Sequence, residues 1–311
     1  MSANFHQNPI FNDETAAREW LEARVWPNGA ICPHCGNADP DKITGLKGKA
    51  HRPGVYQCNE PECREQFTVT VKTVFERSKI PLTKWLFALF LMVSAKKGVS
   101  AHQMHRMIGV SYKSTWFMMH RLREAMRDGS LAPMGGDGMI VEIDETFIGR
   151  KADVPVGGAA HKHVVLTLVE RGGSARSFHV DSTSVADIIP IVNANLYRET
   201  AVMTDTASHY RKTLKGRFES HQMVNHKRKE YVRGEVHTNT VEGYYSIFKR
   251  GMKGVYQHCA EKHLHRYLAE FDFRYSNRVA RGIDDKQRAE ILATGIVGKR
   301  LTYRRPNSAL V

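Results

Sequence analysis

The sequence predicts an α/β domain preceded by a small metal-binding ribbon and an all-α segment, on three observations. Two cysteine pairs stand near the start. A run of helical periodicity broken by a glycine turn follows them. Beyond a glycine-rich linker, short apolar strands alternate with helices.

Composition narrows what such a chain can do. With 311 residues there is room for about two domains. A hydrophobic content of 41% supports a sizeable core. The net charge of +14 points to a polyanionic partner, most often nucleic acid, and Lys and Arg crowd between Arg211 and Arg233. MSANFHQNPIF is neither basic nor followed by an apolar stretch, so no signal peptide is expected. The longest apolar run, WLFALFLMVSA from Trp85, is about half a membrane span and reads as a buried helix. Five cysteines, four of them paired in sequence, suit metal binding in a reducing cytoplasm.

Residues 12–25 read as a helix capped by Asn12, with Trp20 and Leu21 on its apolar side. Cys32-Pro-His-Cys35-Gly and, after 22 residues, Cys58-Asn-Glu-Pro-Glu-Cys63 form a four-cysteine zinc ribbon pattern. The second pair encloses four residues where two are more usual. QFTVTV, residues 66–71, alternates like a last ribbon strand. Residues 81–127 are helical, and Ile108-Gly109-Val110-Ser111 makes a turn between two helices. Helix, tight glycine turn, helix is a helix-turn-helix pattern, which puts Tyr112, Lys113, Ser114 and Arg121 on or near a DNA-facing surface. DGSLAPMGGDG, residues 128–138, is a linker.

The α/β part follows. Residues 139–144 form a strand, 163–169 and 174–180 a hairpin, 185–197 a helix, and 201–204 a strand. A short helix, a strand near 222–225, a helix from about Asn239 and a last long helix over 263–278 complete it. This order matches an RNase H-like fold. The expected domains are 1–76 (helix and ribbon), 77–130 (helix-turn-helix), 131–285 (catalytic) and 286–311 (tail).

Two of these strands end in aspartates, Asp144 and Asp205, which lie 61 positions apart, and Glu242 opens a helix 37 residues later. Hard divalent ions take oxygen ligands, and a pair of them about 4 Å apart can hold both the attacking and the leaving oxygen of a phosphoryl transfer. Glu142, on the Asp144 face of its strand, is a further oxygen candidate, and Glu145 points the other way. His209, His237 and Asn239 lie beside these acids. Lys249 and Arg250 follow Glu242 by about two helical turns, where cations can hold DNA phosphates. His258, His263 and His265 read as a basic helix face.

CPHCG, IGVSYKSTW, VEIDETFIGRK, VMTDTASHY, HTNTVEGYYSIFKRGMKGVY and HLHRYLAEFDFRYSNR together resemble the insertion-sequence DDE transposases that carry an N-terminal zinc ribbon. The resemblance covers residues from about 15 to 280. It implies a DDE triad of Asp144, Asp205 and Glu242, followed by Lys249 at a position such enzymes often fill with Lys or Arg. It further implies two Mg²⁺ or Mn²⁺ ions at those acids, a structural Zn²⁺ on Cys32, Cys35, Cys58 and Cys63, and double-stranded DNA as partner. That DNA comprises terminal inverted repeats and target, bound by at least a homodimer in a nucleoid-associated, membrane-free setting. Two rival readings share the pattern: an inactive DNA-binding regulator derived from such an enzyme, and a cellular nuclease of the same fold.

Overall fold

In the first helix, α1 (Glu14–Val25), the cap is Asp13 rather than Asn12: its carboxylate accepts the Ala16 N–H at 2.8 Å. Ala17 and Leu21 are its buried residues. The chain is described by a computed structural model covering residues 7–302 other than 128, 130, 131, 152 and 153, without the side chain of residue 227. Three residues of the expected linker and the last nine of the expected tail therefore lie outside it. The chain divides into two compact units: one takes the chain up to Ala95, Val99–Met126 and the segment from Asp284, the other Lys96–Gly98 and Arg127–Ile283.

In the first unit, β1 (Ile43–Gly45), β2 (Tyr56–Cys58) and β3 (Gln66–Phe67) form an antiparallel sheet in that order. Its apolar filling is small. Trp26 stands edge-on to Tyr56 and Phe67, with ring centroids at 5.4 and 5.7 Å. The expected strand over 66–71 stops at Phe67, because Val71 N–H turns back to the Thr68 carbonyl and the Thr73 hydroxyl to the Thr70 carbonyl. Alternation there serves a series of turns, in which Val69, Val74 and Phe75 are buried.

Then come α2 (Leu82–Ser94), α3 (Ala101–Ile108) and α4 (Tyr112–Met126). Pro81, at the start of α2, offers no side-chain cap. Glu14 supplies one from α1, accepting Leu82 N–H, Thr83 N–H and the Thr83 hydroxyl at 3.0, 2.9 and 2.7 Å. Ser100 caps α3, and Gly109 ends it in the left-handed region at φ 62°, which a glycine reaches without strain.

The second unit holds β4 (Ile140–Ile148), β5 (His163–Glu170), β6 (Ala175–Val180), α5 (Val185–Asn195), β7 (Ala201–Asp205), α6 (Ser208–Thr213) and β8 (Ser220–Val224). A two-stranded ribbon of β9 (Val232–Arg233) and β10 (Val236–His237) leads into α7 (Asn239–Gly251), and α8 (Leu264–Ser276) follows. The five-stranded sheet runs β6-β5-β4-β7-β8, antiparallel across β6-β5-β4 and parallel across β4-β7-β8. This mixed sheet with helices is compatible with an RNase H-like fold.

Alternation along the strands separates two cores. Val141, Ile143, Val164, Leu166 and Leu168 pack with Ile188 and Val192 of α5 and Tyr210 of α6. Val165 and Val169 pack with Val241, Tyr244, Tyr245 and Phe248 of α7 and Leu268 and Phe271 of α8. One face thus serves α5 and α6, the other α7 and α8.

The segment expected as a tail instead holds the helix α9 (Asp285–Thr294), which belongs to the first unit. Asp284 and Gln287 form a capping box at its start. Arg288 donates to the Val93 carbonyl at 2.9 Å, and Leu292, Ala293 and Ile296 are fully buried. No helix among the described residues is long and apolar enough to cross a membrane.

Candidate functional site

Strand parity assembles the acids. Glu142 pairs with Met203 across the parallel β4–β7 ladder, so two residues further on Asp144 comes level with Asp205. Both lie on the sheet face that α7 covers. Tyr245 of α7 donates its hydroxyl to the Asp144 carbonyl at 2.6 Å and to the Val165 carbonyl at 3.2 Å, fixing the helix over this point. Glu242 lies three residues earlier, on the first turn of the helix, with its side chain 47% exposed.

Burial pushes the Asp144 carboxyl up to about 8, with the charges of Glu145, Asp205 and Glu242 adding to the rise and the Glu145 N–H bond opposing it. Asp144 therefore sits among anions with too little solvent or positive charge to balance it. Asp205 accepts the Ala207 N–H at 2.8 Å through one oxygen, so it also shapes the turn into α6. The partners of Glu242 are the Thr238 hydroxyl at 3.3 Å and His226 Nε2 at 3.5 Å, not Asn239. The three carboxylates do not close on a single point. Among the described residues, groups of three or more ligating side chains with atoms within 4.8 Å are the four cysteines and a separate His163–His179–Glu261 cluster. Asp144 nevertheless feels the charges of both Asp205 and Glu242, so the three acids share one neighbourhood.

Glu142 is not a ligand candidate after all. It is 0% exposed, and both oxygens are occupied: by Arg171 Nε at 2.7 Å, the Thr240 hydroxyl at 2.8 Å, and the Thr240 and Val241 N–H groups at 2.7 and 3.0 Å. His237 lies 3.1 Å from it and belongs to this anchor rather than to the three acids. Arg171, at the β5–β6 turn, also donates to the Glu235 and His237 carbonyls. The charge of Glu142 thus serves the N-terminus of α7, and the strand that carries Asp144 fixes the helix that carries Glu242. The sequence motifs gave no sign of this role for Glu142 or Arg171. Glu145 faces the other way and accepts from His209 Nε2 at 3.2 Å and from the Tyr210 hydroxyl; that contact raises the His209 pKa.

Cations flank the acids. Lys249 sits 5.8 Å from the Tyr245 ring centre, and Arg250 is exposed and donates to the Ser246 carbonyl. Beside Asp205, a cleft of about 420 Å³ is lined by Thr206, Ser208, Arg211, Lys212, Asn225 and Arg228. In the first unit, Tyr112, Lys113 and Ser114 are exposed at the start of α4, with Tyr112 stacked on His102 at 4.3 Å. Arg121 is not with them. It is 7% exposed, donates to the Glu76 carbonyl at 2.6 Å and lies over Trp85, and burial lowers its pKa to about 10. Its position on α4 turns it inward, so it holds the core of this unit.

Cys32, Cys35, Cys58 and Cys63 converge, with Cys32–Cys63 and Cys35–Cys58 Sγ separations of 3.7 Å. A disulfide needs about 2.05 Å. Four thiolates at about 2.3 Å from a tetrahedral zinc stand roughly 3.8 Å apart. The donor set and spacing fit a structural zinc. The wider second pair is accommodated by a turn in which Cys63 and Arg64 N–H both bond the Glu60 carbonyl.

Comparison with known proteins agrees with both regions. Residues 12–66 match the family model described as a transposase zinc-ribbon domain, and residues 135–276 match the ISXO2-like transposase domain. A protein of the transposable element ISH50 from Halobacterium salinarum is 28% identical over 281 residues, covering 85% of this chain and 91% of its own. The chain thus joins a transposase zinc ribbon to an ISXO2-like transposase domain, the organisation of an insertion-sequence transposase.

Proposed function

We propose that the protein is a DDE-type DNA transposase. It binds the terminal inverted repeats of its element, cuts a strand at the element end to leave a 3′-hydroxyl, and joins that hydroxyl to a target phosphodiester. The observation that carries this reading is the Asp144 carboxyl, pushed up to about 8 on the sheet face it shares with Asp205 and beneath the helix of Glu242. Such a cluster is stable in ionised form only with cations.

Asp144, Asp205 and Glu242 are the residues that would hold two Mg²⁺ or Mn²⁺ ions, an all-oxygen donor set suited to hard cations. When bound, such ions supply positive charge to the attacking and leaving oxygens of an in-line displacement. The chain's own contribution is positional. Tyr245 and Glu142 fix α7 against the strands, and His226 restrains Glu242. Lys249, Arg250 and the Arg211–Lys212–Arg228 cleft hold the phosphates on either side. The RNase H-like reading of the sheet fits this chemistry.

The first unit would supply recognition. The turn at Gly109 and the start of α4 form a helix-turn-helix whose exposed Tyr112, Lys113 and Ser114 meet DNA, with the zinc ribbon adding contacts. Bringing two element ends together calls for at least a homodimer on DNA.

The test uses DNA carrying the inverted repeats that flank the gene, with Mg²⁺. Asp144→Asn, Asp205→Asn and Glu242→Gln each lose strand cutting but keep end binding. Cutting retained in any of them counts against the assignment, and absence of cutting by the wild type favours a DNA-binding regulator instead.

A further inference from the structure

We infer a second zinc-class metal site in the transposase domain, formed by His163, His179 and Glu261 and separate from the carboxylates at Asp144. Register brings the two histidines together. Val165 pairs with His179, so His163, two residues before Val165, is the diagonal neighbour of His179 on the same face. Glu261 reaches them from the connector between α7 and α8. Its Oε1 stands 3.6 Å from His163 Nδ1 and 3.7 Å from His179 Nε2.

Those distances exceed a hydrogen bond, which ends near 3.2 Å. Both nitrogens are buried and have no hydrogen-bond partner, and the His163 residue is 4% exposed. Two orphaned imidazole nitrogens aimed at one carboxylate are costly unless something lies between them. Ligands at about 2.1 Å from a tetrahedral ion stand roughly 3.4 Å apart, near the spacings seen. Two imidazoles with one carboxylate suit Zn²⁺ or a similar borderline ion, not the hard ions that an all-oxygen set selects. Glu261 is 55% exposed, so a remaining coordination position faces water.

The site lies apart from the acids. His163 is four residues along β5 from Thr167, the partner of Asp144, or about 13 Å. An ion here would tie the connector that follows α7 to the β5–β6 hairpin and so restrain the far end of the helix bearing Glu242 and Lys249.

The experiment measures zinc per chain in full-length protein saturated with Zn²⁺ and then dialysed, for wild type, Glu261→Gln and His179→Gln. The wild type retains about one more zinc per chain than either variant, and its Zn²⁺-dependent rise in melting temperature is larger than theirs, which keep only the ribbon's share. With Co²⁺ in place of zinc, the thiolate charge-transfer band of the ribbon is the same in all three. Glu261→Gln alters an exposed side chain, so it decides the matter if His179→Gln fails to fold. Equal zinc in wild type and Glu261→Gln overturns the site. A zinc loss accompanied by loss of the thiolate band also overturns it, because the missing ion then came from the ribbon.

Discussion

The carboxylate of Glu142 accepts the Thr240 N–H at 2.7 Å, linking the first part of β4 to the first turn of α7 across 98 residues of sequence. Replacing it with Gln removes the charge opposite Arg171 and weakens two backbone bonds. Glu142→Gln should lower unfolding free energy by roughly 1.5–3 kcal/mol, because hydrogen bonds to charged groups are the strong ones. Denaturant midpoints measure this, and the loss should shrink in an Arg171→Ala background, where the same charge is already unpaired.

A pH dependence follows from Asp144, whose carboxyl has its ordinary value of 3.8 when unfolded and about 8 when folded. Between those values the unfolded chain has released a proton that the folded chain keeps, so stability of the metal-free protein falls as pH rises through that window. Asp144→Asn removes the fall. Above pH 8 the metal-free variant should exceed wild type by on the order of 1–3 kcal/mol, and below pH 4 the two should converge. Mg²⁺ should restore the wild type and leave the variant unchanged. Melting curves at several pH values, with and without the ion, check this.

Zinc removal should act on the ribbon. Its sheet has strands of three, three and two residues around Trp26, Tyr56 and Phe67, too small a core to hold without metal. Cys35→Ser, or chelation, should change the near-ultraviolet dichroism of this aromatic cluster. End-DNA retention should fall at least about tenfold in a gel-shift titration, since a 1.4 kcal/mol contact loss suffices for that.

Gly251 ends α7 where a methyl group would lie 2.5 Å from the Phe271 ring and 2.6 Å from the Lys97 carbonyl oxygen. Backbone and a packed aromatic cannot both yield. Gly251→Ala should therefore destabilise by about 1–3 kcal/mol despite alanine's better helix propensity. Chemical denaturation measures it, and Ser246→Ala on the same helix serves as a control that fills no such space.

What could be read from the sequence was local. GMIVEIDE and AVMTDT read as strands ending in acids; β7 does end at Asp205, whereas β4 runs on to Ile148 and carries Asp144 at its centre. The cysteine spacing marked the ribbon. What escaped was set by partners remote in the chain. Glu14 caps a helix that begins 68 residues later, and no local pattern announces that. His163 and His179 meet only through β5–β6 register, whereas His258, His263 and His265 are merely close in sequence. Arg121, which the helix-turn-helix pattern puts on or near a DNA-facing surface, instead fills space beside Trp85 and Phe117 with its stem and guanidinium. The short alternating run after Phe67 lacked any signal that its threonines would fold it into turns.

The placement of α9 bears on what can be made in pieces. Its Leu292 and Ala293 complete a nucleus begun by α1, α2 and α4, so a polypeptide stopping at Met126 would expose the greasy side of those helices. The amino-terminal unit is thus closed only when the segment from Asp284 has been made, after the intervening sheet domain.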